Sequence, residues 1–260
     1  MGAEQTMTVQ QMETPHSAVG SFNLPCGYID PSTQELHTEV EVREITGYEE
    51  DMMASDKVVA RKKLDLLLGG CVTRIGTISD QAKIKKVVKE LPVGDRVYLL
   101  FAIRRVTLGD ELPIREKCPS CSTSNLFVVD LKDLDVKEME DRRKRLFDIK
   151  LPSGKEVRFR VSTGQDEAKM ADIQKRHKND MLSMALLMRI ELLDGEPADI
   201  KAIKSLGMRD RKALRTAMEK SEGGVDTALE LECPSCGHEW EKELAVSAQS
   251  FFYPSETPSP

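Results

Sequence analysis

The sequence predicts an α+β protein built as a tandem duplication of one strand–helix–helix–cysteine-knuckle unit, with the two knuckles pairing as one ribbon-like site. Three observations carry that expectation. First, L-P-x-G, an alternating run ending in Arg, and T-G-x-[DE]-E occur twice in one order. They read Leu24-Pro25-Cys26-Gly27, Val40-Glu41-Val42-Arg43 and Thr46-Gly47-Tyr48-Glu49-Glu50, then Leu151-Pro152-Ser153-Gly154, Val157-Arg158-Phe159-Arg160 and Thr163-Gly164-Gln165-Asp166-Glu167. Second, Gly94-Asp95-Arg96 and Arg209-Asp210-Arg211 each precede an apolar stretch. Third, Cys118-Pro119-Ser120-Cys121 is answered by Cys233-Pro234-Ser235-Cys236. The offset between copies is 117 at the Thr-Gly pair and 115 at both the Asp-Arg pair and the cysteines. Accidental recurrence of short motifs would not keep that spacing.

Each element follows in chain order. Residues 1–20 lack apolar periodicity and are expected to be a disordered tail, as are 254–260. Unit one spans 21–130 and unit two 151–253. L-P-x-G reads as a turn, because Pro fixes φ and Gly permits a positive one. The next run alternates like a half-buried strand, with Val157, Phe159 and Val161 on one face. Thr-Gly-x-[DE]-E reads as a helix start, with a capping residue and acids near the positive helix end. The helix is expected over about 49–68 in unit one, stopped by Gly69-Gly70, and over about 166–193 in unit two, stopped by Asp194-Gly195. Another helix should follow Asp95 and Asp210, and short strands such as 126–130 and 241–246 should flank the knuckles. Residues 131–150 read as a charged linker helix.

Composition narrows the function. A net charge of −6 and a pI of about 5.5 give no basic footprint for nucleic acid. The run Arg142-Arg143-Lys144-Arg145 follows Glu138, Glu140 and Asp141 and reads as a mixed-charge solvated surface. No apolar run approaches a membrane span, and Arg189 and Glu191 interrupt the most apolar window, 182–193. The N-terminus lacks the order of a signal peptide, so a cytoplasmic location is expected. In a reducing compartment, paired C-x-x-C motifs indicate metal before disulfide.

Each C-x-x-C sets two thiolates on a tight turn, and two such turns complete a tetrahedral S₄ site. Cys118, Cys121, Cys233 and Cys236 are therefore the expected ligands of one structural Zn²⁺, joining the two units. The sequence leaves open whether the knuckles meet within one chain or across a dimer. A thiol redox pair is the competing reading. His238, two residues past Cys236, suits a knuckle in which His is not a ligand. Cys26 and Cys71 lack nearby partners and read as buried free thiols.

Signs of catalysis are thin. No G-x-S-x-G, Walker A, G-x-G-x-x-G or H-E-x-x-H pattern occurs. The acid pairs Glu49-Glu50 and Asp166-Glu167 sit where helix N-termini favour acids. Four thiolates leave a metal no open position. The sequence predicts no catalytic residues and no binding site for a small-molecule substrate or organic cofactor.

The order of motifs resembles the baseplate hub or baseplate assembly proteins of contractile-tailed bacteriophages and of phage-like contractile injection systems. The resemblance is carried by Leu24, Pro25, Gly27, Arg43, Thr46, Gly47, Glu50, Gly94, Asp95, Arg96, Cys118 and Cys121, over roughly 22–130. Unit two matches less closely, since Arg209 replaces the glycine before Asp-Arg. The resemblance implies a zinc-stabilised structural or assembly component. It would contact other tail or baseplate proteins, in the cytoplasm during assembly and in the virion or injection particle afterwards. Stable subunit and transient assembly factor are both open. The alternative is a zinc-ribbon nucleic-acid-binding or transcription accessory protein, which the acidic charge and the lack of aromatics among basic residues disfavour.

Overall fold

The computed structural model describes residues 19–176 and 178–252. The expected tails therefore lie outside the described residues, except at the very start of the first strand.

The chain is a mixed helix–sheet protein with small antiparallel sheets. β1 (Val19–Ile29) and β2 (Leu36–Arg43) form a hairpin, followed by α1 (Gly47–Ala54), α2 (Ala60–Cys71), β3 (Val72–Ile75), α3 (Gln81–Glu90) and α4 (Val93–Leu108). The sheet order is β1-β2-β3. Then come the hairpin β4 (Glu111–Lys117) and β5 (Ser124–Asp130), the short β6 (Val136–Lys137), and a second sheet. That sheet is made of β7 (Leu146–Lys150), β8 (Glu156–Arg160) and β9 (Ile190–Leu193), in the order β7-β8-β9. α5 (Gly164–Arg176) and α6 (Met181–Leu187) lie between β8 and β9 in the chain. α7 (Ile200–Ser205), α8 (Met208–Lys220), β10 (Gly224–Val225), the hairpin β11 (Ala228–Glu232) and β12 (Glu239–Glu243), and α9 (Ala248–Phe252) complete it. The two three-stranded sheets thus share one succession of strands and helices, and each succession leads to a hairpin.

Local chemistry explains the helix starts. Glu49 Oε2 accepts the Thr46 N–H at 3.0 Å and the Thr46 hydroxyl at 2.7 Å, and Arg43 Nη2 donates to Glu49 Oε1 at 2.8 Å. Asp166 Oδ2 likewise accepts the Thr163 N–H at 3.0 Å, and Arg160 Nη1 and Nη2 reach its two oxygens at 2.6 and 2.8 Å. A carboxylate three residues into each helix therefore satisfies a free backbone donor and a strand arginine together. The Asp80 side chain caps α3 by accepting from the Lys83 N–H at 2.7 Å, and the helix buries Ile84, Val87 and Val88. α4 is buried on most sides from Leu99 to Arg104.

Two cores result. The larger runs from Leu24 and Val40 through Leu99 and Ile103 to Leu229, Leu231, Phe251 and Phe252, so the chain returns to the first body after leaving the second. The smaller gathers Leu151, Val157, Phe159, Ile190, Ile203, Leu214 and Met218.

Several expected elements differ. The helix over 49–68 is two helices, broken at Ser55–Val59, and Gly69-Gly70 lies inside α2 instead of ending it. A Cβ on Gly70 would stand 2.9 Å from Glu49 Oε1, so this glycine serves close packing against the α1 carboxylate. The helix over 166–193 ends early, and 190–193 is β9. Asp194 and Gly195, at φ +52° and +84°, make its tight turn. In unit one L-P-x-G lies within β1 as a bulge between Asn23 and Tyr28, whereas 151–154 forms the hairpin turn itself. The motif offset is 127 at the Leu-Pro pair and 117 at the Thr-Gly pair, so the first hairpin is longer by ten residues.

No helix forms over 131–150. Asp130 and Asp141 side chains accept the N–H groups of Lys132 and Arg143, both at 2.9 Å, and such local bonds favour turns over helix. β6 pairs with β10, and 146–150 is β7. Contacts within the chain occupy the basic run. Arg142 pairs with Glu138, Arg143 donates to the Gln34 carbonyl, Lys144 lies over the Phe147 ring, and Arg145 donates to the carbonyls of Cys26 and Gly27. Among the described residues no helix is long and apolar enough to cross a membrane.

Candidate metal centre

The site is built where the two hairpins meet. In β4–β5, Leu112, Ile114, Phe127 and Val129 alternate with exposed residues, and in β11–β12, Leu229, Leu231 and Trp240 do the same. The apolar faces close on one another. The Phe127 and Trp240 rings meet edge to face at 5.9 Å, and Lys242 Nζ reaches Glu116 Oε2 at 3.2 Å. This packing carries the two hairpin tips to one point.

Each tip is the same turn. The Cys118 N–H donates to the Thr123 carbonyl at 3.0 Å and the Ser122 N–H to the Cys118 carbonyl at 2.9 Å. The Cys233 N–H donates to the His238 carbonyl at 2.9 Å and the Gly237 N–H to the Cys233 carbonyl at 2.8 Å. The turn requires a left-handed residue after its second cysteine. Gly237 takes φ +69° readily, and Ser122 takes φ +60° at some cost. Inside the turn, the N–H groups of Ser120 and Cys121 point at Cys118 Sγ, at 3.4 and 3.5 Å. Asn125, buried beneath the site, donates from Nδ2 to Cys233 Sγ at 3.5 Å.

The four sulfurs of Cys118, Cys121, Cys233 and Cys236 lie within 4.8 Å of one another. Cys118 Sγ is 3.7 Å from Cys236 Sγ, and Cys121 Sγ is 3.7 Å from Cys233 Sγ. A disulfide needs about 2.05 Å, so these are not bonded pairs. A tetrahedron of metal–sulfur bonds near 2.3 Å has edges of about 3.8 Å. The arrangement is close enough to hold a metal ion, and its all-sulfur donor set is compatible with zinc. Cys118 and Cys233 are buried while Cys121 and Cys236 face solvent, so each knuckle contributes one inner and one outer sulfur.

The four thiols share negative charge unevenly. The Thr123 hydroxyl and N–H draw the Cys121 thiol down to about 6. The His238 N–H favours the Cys236 thiolate, but burial and its crowding by Cys121, Cys233 and Cys118 outweigh it and push that thiol up to about 12. Four thiolates cannot gather without positive charge between them.

The family model described as T4 bacteriophage base plate protein matches residues 31–253. The chain belongs to that family. No curated protein and no solved structure gives a significant match. The match in this baseplate chain begins after β1 and spans both knuckles, the second three-stranded sheet and all the described helices.

All four cysteines singled out from the sequence are thus together. His238 is not among the clustered donors and stacks on Trp240 at 6.2 Å. Cys26 and Cys71 are buried and free, and burial raises both thiols, Cys71 to about 12. Sequence reasoning missed Asn125, Thr123, and the Glu116–Lys242 and Phe127–Trp240 contacts. The period-two alternation of 112–116 and 127–129 was the available signal for those inner faces.

Proposed function

We propose that this baseplate protein is a non-enzymatic structural or assembly component, stapled by one Zn²⁺ on Cys118, Cys121, Cys233 and Cys236, and acting through contacts with other tail proteins. The observation that carries the reading is the cluster itself, which draws sulfurs from two hairpins 115 residues apart in a chain of a tail-baseplate family. Four thiolates close the coordination sphere, so the ion would support folding and would have no position for a substrate. Of the acids that could have suggested catalysis, Glu49 and Asp166 are engaged in helix starts and Glu167 pairs with Arg96. Arg43 and Thr46 hold Glu49 down to about 2 against its burial.

The same reading takes the chain as two copies of one unit, 21–130 and 151–253, joined through 131–150. Twin contacts at matched positions support it. The Cys26 N–H donates to Asp95 Oδ1 at 2.7 Å, and the Ser153 N–H donates to Asp210 Oδ1 at 3.0 Å. Arg43–Glu49 and Arg160–Asp166 are a second such pair.

The test is zinc content per chain together with mass in solution. One zinc per monomer supports the internal clamp. One zinc per chain at dimer mass, falling to monomer mass on chelation, would make the knuckles a bridge between chains. No zinc, with reversible thiol oxidation, would overturn the clamp. Co-sedimentation with assembled tail particles separates a resident subunit from a factor that leaves after assembly.

A further inference from the structure

The hairpins pack inner face to inner face, which leaves two outer faces on opposite sides of this small sandwich. Their chemistry is opposed. On β11–β12 the exposed outer positions are Glu230, Glu232, Glu239, Glu241 and Glu243, besides Ala228. Glu230 is directly opposite Glu241, and Glu232 is directly opposite Glu239. Like charges so placed destabilise an isolated ribbon. None of these five glutamates has an ion pair among the described residues.

On β4–β5 the outer face near the knuckle carries Arg115 and Lys117, opposite Leu126 and Ser124, with Val128 alongside. Leu126 and Val128 are 59% and 60% exposed, and neither cation has an ion pair among the described residues. Only the far end of this ribbon is acidic, at Glu111 and Asp130. At the 115-residue offset, Arg115 matches Glu230 and Lys117 matches Glu232, while Leu126 and Val128 match Glu241 and Glu243. The cations of one hairpin stand where the other has carboxylates, on ribbons of the same build.

We propose that the acidic face of β11–β12 docks on the knuckle half of the β4–β5 outer face in a second copy of this chain. The pairing brings Arg115 and Lys117 against the opposed glutamates and lets the glutamate stems cover Leu126 and Val128. Charge complementarity of this kind sets partner and register. Because the two faces lie on opposite sides, one contact leaves the other two faces free. The association is therefore head to tail, and it grows into a ring or a filament. It goes beyond the zinc reading.

Two variants of exposed residues test it: Arg115→Gln with Lys117→Gln, and Glu230→Gln with Glu241→Gln. Mass is measured by sedimentation across a concentration series, at about 20 mM and about 500 mM salt, where screening differs widely. The unaltered chain should pass beyond dimer at low salt and return to monomer at high salt. Each variant alone should lose every species above monomer. Mixed in equal amounts, they should form a dimer and nothing larger, because only one complementary pair of faces remains. Zinc content is read on the same samples, so a failed clamp and a failed docking surface are told apart. The proposal is overturned by a chain that stays monomeric at low salt, or by variants that associate as the unaltered chain does. Binding of the acidic face to another basic tail protein, without self-association, would assign the face to that protein and overturn it too.

Discussion

The Asp95 carboxylate is fully buried, accepts the Cys26 N–H through Oδ1, and leaves Oδ2 without a partner. Burial pushes its pKa up to about 7, against the pull of the Cys26 N–H and of Arg145. The folded chain therefore holds this proton to a higher pH than the unfolded chain, where Asp titrates near 3.8. The stability tied to the protonated form is complete below about pH 4 and is lost as pH rises through about 7. Asp95→Asn keeps an acceptor for the Cys26 N–H and removes the ionisation. The variant should lack this fall and should exceed the parent at about pH 8 by on the order of a few kcal/mol. Urea unfolding of both proteins at about pH 5 and about pH 8 measures it, and an equal change in unfolding free energy between the two pH values would show that Asp95 does not titrate there. Glu49 does not confuse the comparison. Its pKa is lowered to about 2, so its stabilisation is present above the ordinary carboxylate range and is lost only as pH falls through about 2. Asp95 also accounts for a difference between the matched motifs. The bond uses the backbone N–H of residue 26, so Ser153 can stand where the first motif has Cys26. The Asp-Arg motif was visible in the sequence, but its role was not, because its partner lies 69 residues away.

Local signals were legible at the scale of elements wherever the chemistry is short-range. The Thr46–Glu49 and Thr163–Asp166 helix starts depend on residues three apart, and the alternation of 157–161 fixes a strand face. Signals that depend on tertiary packing were misread. Gly69-Gly70 has the composition of a helix stop, yet Gly70 is there to admit Glu49. Asp194-Gly195 was taken for a helix stop, though between apolar residues it makes the β9 turn. Residues 131–150 carry helix-compatible charges, but Asp130 and Asp141 turn the backbone, Leu131 is buried in the larger core, and Met139 packs with Cys26 and Val161. The knuckles were legible because both cysteines and the shaping Pro lie in one turn. Their meeting depends on hairpin faces that only the pairing register defines. That dependence makes Trp240, the chain's only tryptophan, a reporter of the site. It sits between Phe127 and His238 on the face that closes the clamp. Chelation should part the hairpins, shift Trp240 emission to the red and remove its near-ultraviolet dichroism, and added zinc should restore both. A Trp240 spectrum indifferent to chelation would show that the hairpin packing holds without metal.

Across the whole molecule the two cores are joined away from the cysteines, whose hairpins both pack in the larger core. Arg96, 1% exposed, donates from Nη2 to Asp65 and from Nε to Glu167, both at 2.8 Å, and from Nη1 to the Val88 carbonyl. Asp65 and Val88 belong to the first body and Glu167 to α5 of the second. Backbone bonds run alongside, from Val93 N–H to the Ser162 carbonyl and from Gly164 N–H to the Leu91 carbonyl, each at 3.1 Å. The matched residue Arg211 stays within the second body, donating to Ser183 Oγ and the Ile203 carbonyl at 3.2 and 3.1 Å. The two arginines therefore separate coupling from local stability. Arg96→Ala removes a buried cation shared by both bodies and leaves Glu167 without its partner. Loss of one partner of a buried pair costs about 3–5 kcal/mol, and less here because Asp65 and Glu167 are partly solvated. Arg211→Ala should lower the stability of the second core without touching the connection. In calorimetry the parent should unfold in one transition, as should Arg211→Ala at a lower temperature. Arg96→Ala should resolve into two, the smaller core around Leu151, Phe159 and Leu214 melting first. Removal of metal should narrow the gap, because both hairpins of the cysteine site pack in the larger core. A single transition in Arg96→Ala would mean that the backbone bonds beside it suffice to make the two bodies one cooperative unit.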